Sequence, residues 1–111
     1  MNKKMRELLS KSGVNSDDIV AISVDAATHM AVFLDENDKP LRPIMHWSDG
    51  RSTKQVAWLK ENHMDLLKRY TLNTPSAGWN LPQFLWLQEN EPDVLKNTKH
   101  LLFAKDYVRH R

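Results

Sequence analysis

IVAISVDAATHMAVFLDENDKPLRPIMHW, residues 19–47, decides how this chain folds. Its first part, IVAISV at 19–24, is β-branched and apolar with no polar alternation. Such a run suits a strand buried on both faces. THMAVFLD at 28–35 predicts a second strand. Asn37-Asp38 tolerates positive φ and so supports a tight reversal, which predicts a hairpin of 29–34 against 40–46. Pro40 and Pro43 cannot donate to a ladder, so they mark the second arm as an edge or irregular strand.

Outward from this stretch the pattern is helical. On the N-terminal side, Met5, Leu8 and Leu9 recur at helical spacing within 3–12, Gly13 supplies a stop, and SDD at 16–18 reads as a loop. On the C-terminal side, Ser52 with Gln55 three later resembles a capping box. Val56 and Leu59 share a face, with His63 one turn on, and MDLLKRY at 64–70 reads as a second short helical segment. LNTPSAGWN at 72–80 is a loop. Asn80 is placed to cap the next helix, with Gln83 at the matching box position and Leu81, Phe84, Leu85 and Gln88 on one face. Pro92 ends that helix. Residues 92–97 form a further turn, HLLFA at 100–104 a strand, and KDYVRHR at 105–111 the start of a helix.

Strands, then helices, then another strand make an α/β pattern. The doubly buried strand at 19–24 needs neighbours on both sides, and few strands are available. An incomplete sheet is therefore expected, belonging to a piece of a larger domain or to a chain that recruits a partner.

Composition narrows the function. The chain has 111 residues, a formal charge of +2 and a pI near 9.0, with acids and bases interspersed. There is no basic stripe of the kind a nucleic-acid binder carries. With no cysteine, disulfides and thiolate metal sites are excluded, and a reducing compartment is compatible. The opening MNKKMRELLSKSG lacks the apolar core of a signal peptide. No apolar run approaches the roughly 20 residues that span a bilayer. The expectation is a cytoplasmic protein with no nucleic-acid or membrane partner.

Six residues are candidates for binding. Thr28 and His29 stand together on the expected second strand, where His29 is either a hydrogen-bonding group for a hydroxylated ligand or a core histidine satisfied by a carbonyl. Trp47 and Asp49 lie in MHWSDGR. An indole packs on the apolar face of a sugar and a carboxylate accepts hydroxyl protons. Equally, Ser48 or Asp49 could cap the following helix, with Arg51 solvated. Trp79 and Asn80 form a second polar-aromatic turn ahead of a helix, whose simpler reading is capping by Asn80. Trp58 and Trp86 fall within helical patterns and are expected in the core. The five histidines, at 29, 46, 63, 100 and 110, show neither HxxxH nor HExxH spacing, so no metal site is expected. GxxxxGK[ST], GxGxxG and GxSxG are all absent.

Three stretches in order carry a resemblance. Residues 19–52 resemble the part of the FGGY carbohydrate kinases that runs through a hairpin to a Trp-x-Asp-x-Arg turn. GWNLPQFLWLQENEP is similar to their Gly-aromatic-x-x-Pro-Lys-x-x-Trp segment. HLLFAKDYVRHR resembles the strand and Lys-Asp-Tyr helix start that follow. Within the family, ATHMAVFLD looks most like xylulokinase-type members. The resemblance implies a partial ribonuclease-H-like, actin-like ATPase domain, an incomplete sheet with a hairpin flanked by helices. It makes residues 1–111 a single fragment of the first, sugar-binding domain, without the phosphate-loop hairpin and without the second, ATP-binding domain. It implies a parent enzyme that transfers phosphate from ATP, with Mg²⁺, to a pentulose such as xylulose or a related sugar. Thr28, His29, Trp47, Asp49, Trp79 and Asn80 would border the sugar. No catalytic base, ATP or metal residue maps onto this chain, so the fragment alone is expected to be inactive and to bind no cofactor strongly. Ala27, Ser48 and Gln83 depart from the Gln, Asn and Lys of many members. The alternative is a non-catalytic, self-associating or sugar-binding domain from a truncated gene, with homo-oligomers forming through exposed sheet edges.

Overall fold

The computed structural model describes residues 2–111. Helix α1 spans Asn2–Ser12, followed by a 3₁₀ turn at Ser16–Asp18, strand β1 at Ala31–Leu34 and helix α2 at Thr53–Thr71. Helices α3 (Asn80–Asn90) and α4 (Pro92–Asn97), strand β2 (His100–Phe103) and helix α5 (Ala104–His110) complete the order. The α/β class and the incomplete sheet expected from the sequence are both present.

The two strands pair antiparallel, with Ala31 opposite Phe103 and Leu34 opposite His100. All four β1 residues are buried, because helices cover the strand. Ala31, Phe33, Met45 and Leu87 form the core, with Leu41, Phe84, Trp86, Val94 and Leu95 packed against them. Phe33 meets Phe84 edge to face, centroids 5.5 Å apart, a favoured aromatic geometry.

The structure corrects the reading of 19–24. Those residues form no strand, and no residue from 3 to 30 is buried. Val20 is 98% exposed and Ile22 66%. A doubly buried strand needs a ladder on its edges and a layer on each face. Among the described residues the sheet has only β1 and β2, so 19–24 has nothing to pair with. The exposed N-terminal stretch also extends the molecule. Its radius of gyration is 18.3 Å, against about 13 Å for a compact chain of this length.

The expected hairpin is half formed. Asp38 takes φ 59°, and the Asp35 carboxylate accepts from the Asn37 and Lys39 amides, so the reversal is where the sequence put it. The returning arm makes a single bridge, Leu34 to Pro40, plus Leu41 N–H to Phe33 O. Pro40 and Pro43 remove donors from that arm. The continuous ladder of β1 is made by β2 instead.

The helices follow their local signals more closely. Gly13 adopts φ 70° just past α1, the left-handed geometry that favours glycine after a helix. Helix α2 contains a break at His63 (φ −136°, ψ 15°), at the junction of the two expected segments. Pro92 is the first residue of α4, where its missing N–H costs nothing.

Three helix details differ. Neither member of the expected capping box caps α2: Ser52 Oγ donates to Ala77 O (2.9 Å) and Gln55 Nε2 to a Glu89 carboxylate oxygen (2.6 Å). Both side chains tie α2 to α3 and its preceding loop. The buried positions of α3 are Pro82, Gln83 and Leu87, while Leu81 and Gln88 are exposed. The reason is that α3 sits between α2 and α4 and presents more than one face to neighbours. Trp86 packs on the core as expected. Trp58 does not: it is half exposed beside the α2–α3 groove, edge-on to His63.

Candidate functional site

Thr28 and His29 form a turn ahead of β1 rather than part of it. His29 has φ 57°, a left-handed conformation that non-glycine residues rarely adopt without support. Asn80 supplies that support. Its Nδ2 donates to His29 O (3.2 Å), and its Oδ1 lies 3.3 Å from His29 Nδ1. The Trp79 ring stacks on the imidazole, with planes 18° apart and centroids at 6.1 Å. Asn80 is therefore not the cap of α3. The cap position falls to Trp79, which makes no side-chain cap bond, because both ends of the Asn80 amide are turned toward His29.

Trp47 and Asp49 lie on a neighbouring turn closed by Asp49 N–H to His46 O (2.9 Å). Asp49 does not cap α2. Its carboxylate accepts the Arg51 amide (3.0 Å) and takes Arg51 Nε at 2.9 Å on both oxygens. The Arg51 guanidinium holds the Asp49 carboxyl below the usual carboxylate range. Arg51 in turn lies 4.9 Å from the Trp86 ring centre, a cation–π contact that fixes its fork. Asp49 is mostly committed to Arg51, and only its remaining lone pairs are available to a ligand. Trp47 is 56% exposed.

The two turns are locked together. A Cβ on Gly78 would overlap the Trp47 carbonyl oxygen and stand 3.1 Å from its carbon, so only glycine permits this approach. Gln83, 2% exposed, donates through Nε2 toward both His46 O (3.4 Å) and Ala77 O (3.5 Å). The sequence placed Gln83 in a capping box with Asn80, and the structure shows no such box. Gln83 instead bridges the two turns.

The structure thus joins His29, Trp79 and Asn80 directly, with Thr28 beside His29 in the same turn, and brings the Trp47–Asp49 turn to them through Gly78 and Gln83. A groove of about 290 Å³ opens beside them, lined by Asp25, Ala26, Ala27, Thr28, His29, Phe103 and Lys105. Trp47, Asp49, Trp79 and Asn80 do not line this groove, though Trp79 and Asn80 contact His29, which does. Phe103 and Lys105 escaped the sequence reading of the site, because only the pairing of β2 with β1 brings them to residue 28. Lys105 is held by Asp106, 2.8 Å away. A larger groove of about 510 Å³ between the β1 turn and α4 is lined by Asp35, Glu36, Lys96 and Lys99. It lacks the aromatic face on which a sugar ring stacks.

The two-stranded pair and the helices that back it have counterparts in solved carbohydrate kinases. The chain superposes on a xyloylose kinase from Brucella ovis with a TM-score of 0.84 and 28% identity, covering 95% of this chain and 22% of that one. A xylulose kinase from Bifidobacterium adolescentis gives 0.79 at 23% identity, covering 96% and 24%, a likeness of fold. In sequence, the chain is 39% identical over 107 residues to the xylulose kinase of Bacillus subtilis (strain 168), covering 96% of this chain and 21% of that protein. The sequence model of the FGGY family of carbohydrate kinases, N-terminal domain, matches residues 1–111. The chain belongs to the FGGY family. It spans between a fifth and a quarter of the length of these relatives.

Among the described residues no group of three or more His, Asp or Glu is placed to hold a metal ion. The three glycines, at 13, 50 and 78, are isolated and build no phosphate-cradling loop. The residues present do not fit ATP with Mg²⁺. No helix among them is long and apolar enough to cross a membrane.

Proposed function

We propose that this chain is a piece of the first domain of a sugar kinase and supplies the sugar-facing wall of its cleft. The observation that supports this best is the convergence of 28–29, 46–49 and 77–80 on one end of the fold. Those segments carry an exposed indole, a stacked His–Trp pair and an ordered carboxylate. In this reading Thr28, His29 and Asp49 offer hydrogen bonds to sugar hydroxyls, and Trp47 and Trp79 offer apolar faces. Asn80 borders the site from behind His29. The substrate is a pentulose such as xylulose or a related sugar, the class acted on by the named relatives. The whole protein uses ATP with Mg²⁺, bound by parts outside this chain, and works in the cytoplasm.

Phosphoryl transfer depends on positioning and on neutralising developing charge. The described residues supply neither a phosphate cradle nor a group of metal ligands, and in this reading the chain alone turns over no sugar. The test is sugar-dependent ADP release. The full gene product releases ADP with a pentulose and the 111-residue chain does not. Turnover by the chain alone, or none by the full product with any pentulose, hexulose or polyol, overturns the proposal.

The exposed Ile19, Val20 and Ile22 favour a second reading, a non-catalytic domain that self-associates through this unpaired segment. A monomer by light scattering across concentration argues against it.

A further inference from the structure

We infer that Asn80 sets the tautomer of His29, keeping the ring proton on Nδ1 and presenting Nε2 as a bare acceptor for a ligand hydroxyl. The hydroxyl part rests on the sugar-wall reading above; the tautomer does not.

One amide making two bonds carries the argument. Asn80 Nδ2 lies 3.2 Å from His29 O and Asn80 Oδ1 lies 3.3 Å from His29 Nδ1. A peptide oxygen only accepts, so the amide nitrogen must face it. That fixes which way round the Asn80 amide sits. Its oxygen then faces the ring and also only accepts, so Nδ1 must bear the proton. A neutral imidazole has one ring proton, so Nε2 is left with a free lone pair. Nε2 makes no hydrogen bond among the described residues, and His29 lines the 290 Å³ groove with Thr28 and Lys105. The left-handed turn at His29 and the Trp79 ring stacked on it hold the imidazole in place.

The consequence is selectivity at one point of the site. A bare Nε2 takes a hydroxyl donor. A carboxylate offers only acceptors and gains nothing there while the imidazole is neutral. Asn80 is thus a positioning residue. It acts through His29 and leaves contact with the ligand to the ring.

The experiment is a two-bond ¹H–¹⁵N correlation spectrum of the labelled chain at pH about 8, above the ordinary imidazole titration. The expected result is a protonated Nδ1 and an unprotonated Nε2 for His29. Asn80→Ala moves the proton to Nε2, the position free imidazole favours, whereas Asn80→Asp keeps it on Nδ1. A wild-type His29 protonated on Nε2, or an unchanged pattern in Asn80→Ala, overturns the assignment. The wild-type spectrum decides even if Asn80→Ala does not fold. Adding xylulose then shifts Nε2 more than Nδ1. An unmoved Nε2 at saturating xylulose refutes the hydroxyl contact and the sugar reading together, while the tautomer stands.

Discussion

Gly78→Ala separates a packed site from two turns that are merely near each other. The added methyl would overlap the Trp47 carbonyl oxygen and sit 3.1 Å from its carbon and 3.4 Å from its Cα. These are backbone atoms, so no side-chain rotation relieves the overlap. One turn must move, and both are pinned: 46–49 by Gln83 at His46 O, and 77–80 by Ser52 at Ala77 O. Overpacking of this kind costs about 3 kcal/mol, the upper part of its usual range. With a urea dependence of about 1.5 kcal/mol/M for a chain this small, the midpoint falls by about 2 M. Gly50→Ala is the control, since nothing lies within 4 Å of its Cβ and its φ is unremarkable. It changes stability by less than about 0.5 kcal/mol. The assay is urea unfolding followed by tryptophan fluorescence. Equal midpoints for the two variants would refute the claim that the turns are in contact.

Other perturbations probe separate parts. Leu87 is fully buried at the centre of the core, so Leu87→Ala lowers stability by about 3–4 kcal/mol in the same assay. Arg42, with a side chain only 9% exposed, pairs with Glu91 at 2.8 Å. Glu91→Ala strands that charge and costs about 2 kcal/mol, less than a wholly buried pair because Glu91 is itself one-third exposed. Asp49 ionises more readily in the folded state than in the unfolded chain, mainly through Arg51. Its contribution is complete above the ordinary aspartate value of about 3.9 and fades as pH falls through the folded value. Asp49→Asn therefore flattens part of the loss of stability below pH about 4, measured as Tm against pH; an unchanged acid limb contradicts the Arg51 clamp.

Features set by neighbours in sequence were legible. The reversal at Asp38, the stop at Gly13, the break at His63 and the fresh start at Pro92 each depend on a few adjacent residues. Features set by distant residues were not. The run at 19–24 looks like a strand because its side chains suit one, but a strand exists only with a partner. The ladder fell to β2, a pairing no local pattern announces. At the site, aromatic and polar residues in turns pointed to Trp47 and Trp79. The close approach at Gly78 and the Gln83 bridge were hidden because both act across the chain. Asn80 shows the same limit. Its position before a helix suggested a cap, and only the fold reveals His29 competing for its amide.

The proposed wall of 28–29, 46–49 and 77–80 faces a sugar. The four tryptophans provide an internal comparison, because two lie in these turns and two lie in helices. The measurement is the indole N–H region of a ¹H–¹⁵N spectrum during titration with xylulose up to concentrations well above a Kd of order mM, about −4 kcal/mol. The account predicts shifts for Trp47 and Trp79 and none for Trp58 or Trp86. Four unmoved signals, or movement confined to Trp58 and Trp86, would contradict it.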